Sequence, residues 1–352
     1  MIVSRTPFRI SFFGGGTDYP AWYREHGGAV LATAIDKYCY LTARRLPPFF
    51  EHRHRIVYSK IEMVRRASEI THPAVRAVLD FLKIEGGVEI HHDGDLPARS
   101  GMGSSSSFTV GLLHAVHALQ GRVVSKAQLA MEGIRVEQEI LKETVGSQDQ
   151  VIAAHGGLNH VTFHRNGEIT VCPVTLSAER IAALNNHLML FYTGIRRTAS
   201  DVARSYVADM DSRKRQLLAM REMVDGAIAL LNGRRDMDGF GKLLHEAWLV
   251  KRSLSSAVTN PEVDAIYAVA RRAGALGGKL TGAGGGGFML LFVPPERRAK
   301  VRKALGKLLH IPFRFDFHGS QIIFYDPGED YTEAEKDREN RMIHAFRELS
   351  AE

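Results

Sequence analysis

Leu96-Pro-Ala-Arg-Ser-Gly-Met-Gly-Ser-Ser-Ser-Ser107 joins a short strand pattern at Gly87–His92 to an apolar run of small residues, Ser104–Leu119. That run reads as a buried helix opening on serines. Gly101 and Gly103 carry no Cβ, so the loop's backbone N–H groups can turn inward. The helix behind them offers its unsatisfied first-turn amides and the positive end of its dipole. Together these make an anion site of the size of a triphosphate. Serine hydroxyls at the helix start can donate to phosphate or ligate Mg²⁺, a hard ion that prefers oxygen. A plain loop with serine helix caps is the alternative. Two other nucleotide motifs fail on spacing. Gly278-Lys279 is followed by Leu280, and Ala273 stands where a Walker loop needs its first glycine. Gly282, Gly284 and Gly287 match G-x-G-x-x-G, but they lead into a strand pattern at Phe288–Val293 and not into a helix.

Outward from the loop, the 352-residue chain is long enough for two domains of roughly 150–200 residues. The first sixty residues predict strands at Ile2–Phe13, Ala29–Ile35 and Tyr38–Leu46. Pro73–Lys83 predicts a helix. Ser125-Lys-Ala-Gln128 is a capping box for another helix that runs to about Lys142. Gly156–Phe163 and Glu168–Val174 predict a hairpin. The pattern changes near Ser177–His187, and a strand follows at Leu188–Tyr192. Helical spacing then covers about 198–232, 238–256 and Pro261–Ala273. Strands at Gly278–Leu280 and Phe288–Val293, a helix at Pro295–Leu309, strands at Phe313–Phe317 and Gln321–Tyr325 and a charged helical tail at Tyr331–Leu349 complete the reading. Strands and helices mix without steady βαβ alternation, which predicts an α+β fold. The boundary is placed near residue 180, giving domains 1–180 and 181–352.

Apolar residues make up 45% of the chain and charged residues 24%, the balance of a globular protein. No apolar run reaches the ~18–20 residues of a membrane span, and the N-terminus reads as a strand without a signal-peptide core. A cytoplasmic location follows as the expectation. The net charge of +7 is spread over small clusters at Arg44–Arg45, His52–Arg55, Arg65–Arg66, Arg196–Arg197 and Arg297–Lys303. Dispersed charge argues against nucleic acid; it is either plain solvated surface or a field that favours anionic small molecules, and charge alone does not choose between them. The two cysteines, Cys39 and Cys172, sit among apolar neighbours and are expected in the core.

The loop resembles the P-x-x-x-G-L-G-S-S-A motif of the GHMP kinases, with Met102 in place of the usual Leu. Two further motifs of that family occur in order. Thr6-Pro-Phe-Arg-Ile-Ser-Phe-Phe-Gly-Gly-Gly-Thr-Asp-Tyr19 is similar to galactokinase's A-P-G-R-V-N-L-I-G-E-H-T-D-Y. Lys279-Leu-Thr-Gly-Ala-Gly-Gly-Gly-Gly-Phe288 is similar to K-x-x-G-x-G-x-G-G. Glu137-Gln-Glu-Ile-Leu-Lys-Glu-Thr-Val-Gly-Ser-Gln-Asp-Gln150 is similar to a fourth galactokinase stretch.

The resemblance implies a two-domain GHMP kinase fold with a ferredoxin-like C-terminal domain, and ATP and Mg²⁺ as cofactors. It implies that Asp149 takes the proton of the attacking hydroxyl and Arg9 stabilises transferred charge beside it. Pro97, Arg99, Ser100, Gly101, Met102, Gly103, Ser104, Ser105 and Ser106 would hold the nucleotide. Glu137 and Ser105 would ligate Mg²⁺, with Ser104 and Ser106 as alternatives. Asp18 would hold sugar hydroxyls within Gly15, Gly16 and Thr17, and Gly284 and Gly285 would approach from the second domain. Gly14–Gly16 replace the family's Gly-Glu-His, which argues against galactose.

The form of the first motif resembles the bacterial D-glycero-D-manno-heptose 7-phosphate kinases. That branch phosphorylates an anomeric hydroxyl to give a 1,7-bisphosphate, feeding GDP-heptose synthesis. Arg196 and Arg197 are the expected cradle for an existing sugar phosphate, with Arg99 and His52–Arg55 as competitors. An L-fucokinase-like kinase of a free sugar, a non-catalytic sensor of sugar and ATP and a diphosphate decarboxylase are the other readings. The expected partner is a small-molecule sugar or sugar phosphate, with the chain a monomer or homodimer.

Overall fold

The computed structural model describes residues 1–340 apart from 99, 196–198, 208, 234–235 and 327. In chain order the strands are β1 (Ile2–Phe13), β2 (Gly28–Arg45), β3 (His54–Val57), β4 (Ile61–Val64), β5 (Val88–Gly94), β6 (Leu158–Phe163), β7 (Ile169–Pro173), β8 (Leu188–Tyr192), β9 (Gly277–Leu280), β10 (Phe288–Phe292), β11 (Leu309–Ile311), β12 (Phe315–Asp316) and β13 (Gln321–Tyr325). The helices are α1 (Pro20–His26), α2 (Pro73–Phe81), α3 (Ser104–Leu119), α4 (Lys126–Arg135), α5 (Gln148–His155), α6 (Ala178–His187), α7 (Ala199–Val207), α8 (Lys214–Asn232), α9 (Asp238–Arg252), α10 (Pro261–Ala273), α11 (Arg298–Ala304) and α12 (Thr332–Asn340). No helix among the described residues is long and apolar enough to cross a membrane.

A nine-stranded sheet follows the path β13-β1-β2-β5-β3-β4, with β6 and β12 joined on β2 and β7 on β6. β1 is buried along nearly its whole length because helices cover the sheet: α3 packs on β1 and β2, and α8 on the same strands. The long β2 spans the two strands expected at 29–35 and 38–46. Its pairing with β1 slips between Pro7 and Phe8, from Tyr38 to Ile35. Pro7 has no N–H for the ladder, and the slip passes Asp36 and Lys37 out of register without ending the strand.

A four-stranded antiparallel sheet has the order β11-β8-β10-β9. Numbered within the second half this is 4-1-3-2, the ferredoxin-like arrangement, with α7 to α10 inserted between its first two strands. Its fourth strand, β11, begins at Leu309, the last residue of the helix expected over 295–309. The helix stops at Ala304 ahead of Gly306, and the chain pairs with β8. The last strands do not stay with this sheet. β12 pairs with β2, and β13 closes the edge of the first sheet against β1.

An aromatic seam holds the two halves together. The Phe240 ring of α9 meets Phe12 and Phe13 edge-on, with centroids 5.6 and 5.2 Å away, and lies 5.7 Å from Phe292 of β10. Such contacts add to the burial energy of large side chains. α1, α6, α5 and the β3–β4 hairpin were not foreseen. Cys39 is buried as expected, but Cys172 is exposed, because β7 is the outer strand of the hairpin and bonds only to β6.

Candidate active site

The loop before α3 turns on two left-handed glycines, Gly101 (φ +79°) and Gly103 (φ +73°). Gly103 caps the helix, and the first intrahelical bond runs from Ser107 N to Gly103 O at 2.9 Å. The amides of Ser105 and Ser106 therefore have no intrahelical acceptor. A Cβ on Gly103 would sit 3.1 Å from Arg9 Cγ and 3.3 Å from Asp149 Oδ2. The loop thus lies directly over the pair that the sequence singled out.

Arg9 projects from the middle of β1, with its side chain 5% exposed. Its Nε donates to Asp149 Oδ1 and its Nη2 to Asp149 Oδ2, both at 2.6 Å. Its Nη1 donates to Gly101 O at 2.7 Å, and its backbone N to Met102 O at 3.0 Å. One guanidinium thus fixes both the carboxylate and the phosphate-type loop, in the forked geometry that arginine favours. Asp149 lies in the first turn of α5, where the helix dipole favours a carboxylate. Its side chain is 23% exposed, so it keeps access to the cleft.

Asp18 is buried. Gly16 N donates to its Oδ1 at 2.9 Å and Gln148 N to its Oδ2 at 3.3 Å. Burial, with Asp149 as a further cause, raises its carboxyl above the ordinary range. Gly146 is required here, since a Cβ would lie 1.9 Å from Asp18 Oδ2. The first and fourth motifs therefore meet at one carboxylate. Thr17 serves the turn: its hydroxyl donates toward Gly14 O and Ala29 O. Tyr19, next to Asp18, packs edge-on against Tyr206 of α7 at 6.3 Å.

Glu137 is turned inward by a wide turn. After α4 the chain makes one π-type turn, Val136–Ile140, closed by Leu141 N to Val136 O at 2.9 Å. Such turns are frequent at functional sites because the extra residue re-aims side chains. Here it points Glu137 inward at 1% exposure while Glu139 stays in solvent. Ser106 Oγ donates to Glu137 Oε2 at 2.8 Å, and Gln150 Nε2 donates to the same oxygen. Glu137 Oε1 is buried without a partner among the described residues. Burial pushes this carboxyl up to about 7. An orphaned carboxylate oxygen beside serine hydroxyls is a hard-oxygen donor set and fits Mg²⁺. The serine that meets Glu137 is Ser106. Ser105 is exposed on the helix surface.

The glycine run Gly282–Gly287 closes over the loop, but by its ends. A Cβ on Gly282 would lie 2.6 Å from Gly101 Cα, and one on Gly287 would lie 2.2 Å from Ser100 O. Gly284 and Gly285 turn away. Gly285 N donates to Val258 O at 2.8 Å, so that amide is already engaged. Ser100 is buried with its hydroxyl on Pro97 O at 2.7 Å, and Pro97 is exposed.

Arg99, Arg196 and Arg197 lie outside the described residues. The competing His52–Arg55 segment is on the far strands of the sheet. Arg53 pairs there with Glu335 at 2.6 Å and Arg55 with Glu89. Two residues were missed, Lys251 of α9 and Lys279 of β9, both buried. Lys279 stands inside the third motif; Lys251 had only the helical spacing of 238–256 around it.

Residues 63–157 match the family model for the GHMP kinases N terminal domain, and residues 227–311 match that for GHMP kinases C terminal. Over 317 residues the chain is 29% identical to the D-glycero-alpha-D-manno-heptose 7-phosphate kinase of Campylobacter jejuni, covering 87% of this chain and 93% of that protein. The crystal structure of a D-glycero-D-manno-heptose 1-phosphate kinase from Bacteroides thetaiotaomicron superposes with a TM-score of 0.76 at 23% identity, over 92% of this chain and 99% of that one. Galactokinase of Lactococcus lactis complexed with galactose superposes with a TM-score of 0.71 at 19% identity, over 91% and 94%. At these identities the two superpositions speak for the fold alone.

Proposed function

The chain belongs to the GHMP kinase family and is an ATP-dependent phosphotransferase, and from that premise we propose that it phosphorylates the anomeric hydroxyl of D-glycero-D-manno-heptose 7-phosphate to the 1,7-bisphosphate. The observation that carries the site is the forked Arg9–Asp149 pair, 2.6 Å at both contacts, directly beneath Gly103 at the start of α3. Residues 1–180 and 181–352 serve as the two domains in this reading, the second lending β12 and β13 to the sheet of the first.

Phosphoryl transfer needs positioning and charge neutralisation more than covalent help. The loop Ser100–Ser106 receives the polyphosphate on its amides. Asp18 accepts hydrogen bonds from sugar hydroxyls and sets the acceptor's orientation. Asp149 takes the proton of the anomeric hydroxyl as that oxygen bonds to the terminal phosphorus and the bond to the leaving ADP breaks. Arg9 holds the Asp149 carboxylate in place and spreads positive charge beside the transferred group. Glu137, with Ser106 or Ser105, would hold Mg²⁺, which when bound neutralises phosphate charge.

A free-sugar kinase of the fucokinase kind is the second reading. It is favoured by one observation: the arginines of His52–Arg55 are committed to Glu89 and Glu335, far from the cleft. A coupled ADP-release screen over heptose 7-phosphates, fucose, mannose, galactose and homoserine decides between them. The highest kcat/KM is expected with the heptose 7-phosphate. Turnover of free fucose with none of the sugar phosphate would replace the first reading by the second.

A further inference from the structure

Lys251 and Lys279 are 5% and 4% exposed, and neither has a carboxylate partner among the described residues. Lys279 Nζ donates to Phe12 O at 3.0 Å. Lys251 Nζ donates to Leu280 O at 3.3 Å and to Gly282 O. Backbone carbonyls supply partial charges, which leave a buried ammonium incompletely neutralised. The surroundings do not repair this. The two lysines repel each other, and Arg9 opposes both. Asp149 is committed to Arg9 through both oxygens. Among the described residues, Asp18 is the carboxylate that offsets the two ammonium groups.

The carbonyls they hold belong to the loops that frame the cleft. Gly282 abuts Gly101 of the phosphate-type loop, and Phe12 leads into the Gly14–Asp18 turn. Two buried lysines without a carboxylate partner at this junction would have their positive charge completed by an anion, and phosphate is the anion these loops receive in the phosphoryl-transfer reading.

We infer that Lys251 and Lys279 form a second phosphate-binding locus on the C-terminal side of the cleft, completed by a phosphate group of a bound ligand. The inference rests on the phosphoryl-transfer reading. It names charge that the loop amides, Arg9 and the Glu137 site do not supply. The phosphate is either the terminal one of the nucleotide or the one carried by the sugar.

The test is calorimetry on the full chain and on Lys251→Met, Lys279→Met and the two Lys→Arg variants. The ligands are a non-hydrolysable ATP analogue with Mg²⁺, ADP with Mg²⁺, heptose 7-phosphate and the free heptose. Each Met variant is expected to weaken one phosphate ligand on the order of ten- to a hundredfold, with the free sugar unchanged and partial recovery in the Arg variant. Loss for the ATP analogue and not for ADP assigns the nucleotide's terminal phosphate; loss for the sugar phosphate assigns the acceptor's. Unchanged affinity for every phosphate ligand overturns the inference, as does an equal loss for the free sugar, which marks a packing role.

Should the Met variants fail to fold, the wild type still answers. Burial, with Arg9 opposing and Asp18 partly offsetting, holds Lys279 down to about 7, so at pH 8 phosphate binding should draw a proton onto it, read as a buffer-dependent heat. No uptake overturns the inference. A wild type that binds neither the ATP analogue nor ADP sinks the phosphoryl-transfer reading, and this locus with it.

Discussion

Arg9 and Asp149 each depend on the other's charge, but their losses should differ in kind. Asp149→Asn removes the proton acceptor and should lower kcat by about 10²–10⁴ while the affinity for a non-hydrolysable ATP analogue holds. It also leaves Arg9 buried with a weaker partner, costing about 1–3 kcal/mol of stability. Steady-state kinetics beside a thermal melt check both; unaltered turnover would move the chemistry elsewhere. Gly146→Ala acts on the other carboxylate. The new Cβ would lie 1.9 Å from Asp18 Oδ2, so Asp18 must move and KM for the sugar should rise well before KM for ATP. Equal rises would mean that Asp18 does not orient the acceptor. Both carboxylates were legible from motif position. The need for Gly146 was not, because its reason is a contact with a residue more than a hundred positions away.

At the scale of elements, the start of α3 and the glycine run work as one surface. Gly101→Ala forces a left-handed φ on alanine, costing roughly 1–2 kcal/mol, and puts a Cβ 2.7 Å from Thr281 O. KM for ATP should rise more than KM for the sugar, and an unchanged KM for ATP would separate this loop from the nucleotide. The helix behind the loop could be foreseen from its small apolar run and opening serines. The π-type turn could not. A helix pattern running to about Lys142 carries no mark of the single extra residue that turns Glu137 inward and selects Ser106 over Ser105 as its partner. The glycine run was legible as a site for close backbone approach, but which of its amides are already bonded depends on Val258, which no motif contains.

Across the whole molecule, the buried charges set opposing pH slopes. Glu137 titrates near 7 when folded, against an ordinary value of 4.5. Between those values the folded chain holds a proton that the unfolded chain has released, so stability falls as pH rises, by about 3 kcal/mol in total. Lys279 is held down to about 7 from 10.5. Above pH 7 the unfolded chain binds the extra proton, and stability rises with pH. Taken by themselves, these two groups contribute least to stability near neutral pH. Glu137→Gln removes the first slope: in denaturant titrations its gain over wild type should be larger at pH 8 than at pH 5, while activity falls. Equal gains at both pH values would show that the Glu137 carboxyl is not held up by burial.

Local pattern was enough for the α+β class, the phosphate-type loop and the family, because turn glycines, helix caps and strand alternation are written in neighbouring residues. It was also enough to nominate Arg9, Asp18, Glu137 and Asp149. Burial and long-range packing decided the rest: the return of β12 and β13 to the first sheet, the serine that faces Glu137, and the burial of Lys251 against Gly282 and of Lys279 against Phe12. Those features are set by which distant segments come into contact, and the energy of a charge depends on what surrounds it in space, not on its neighbours along the chain.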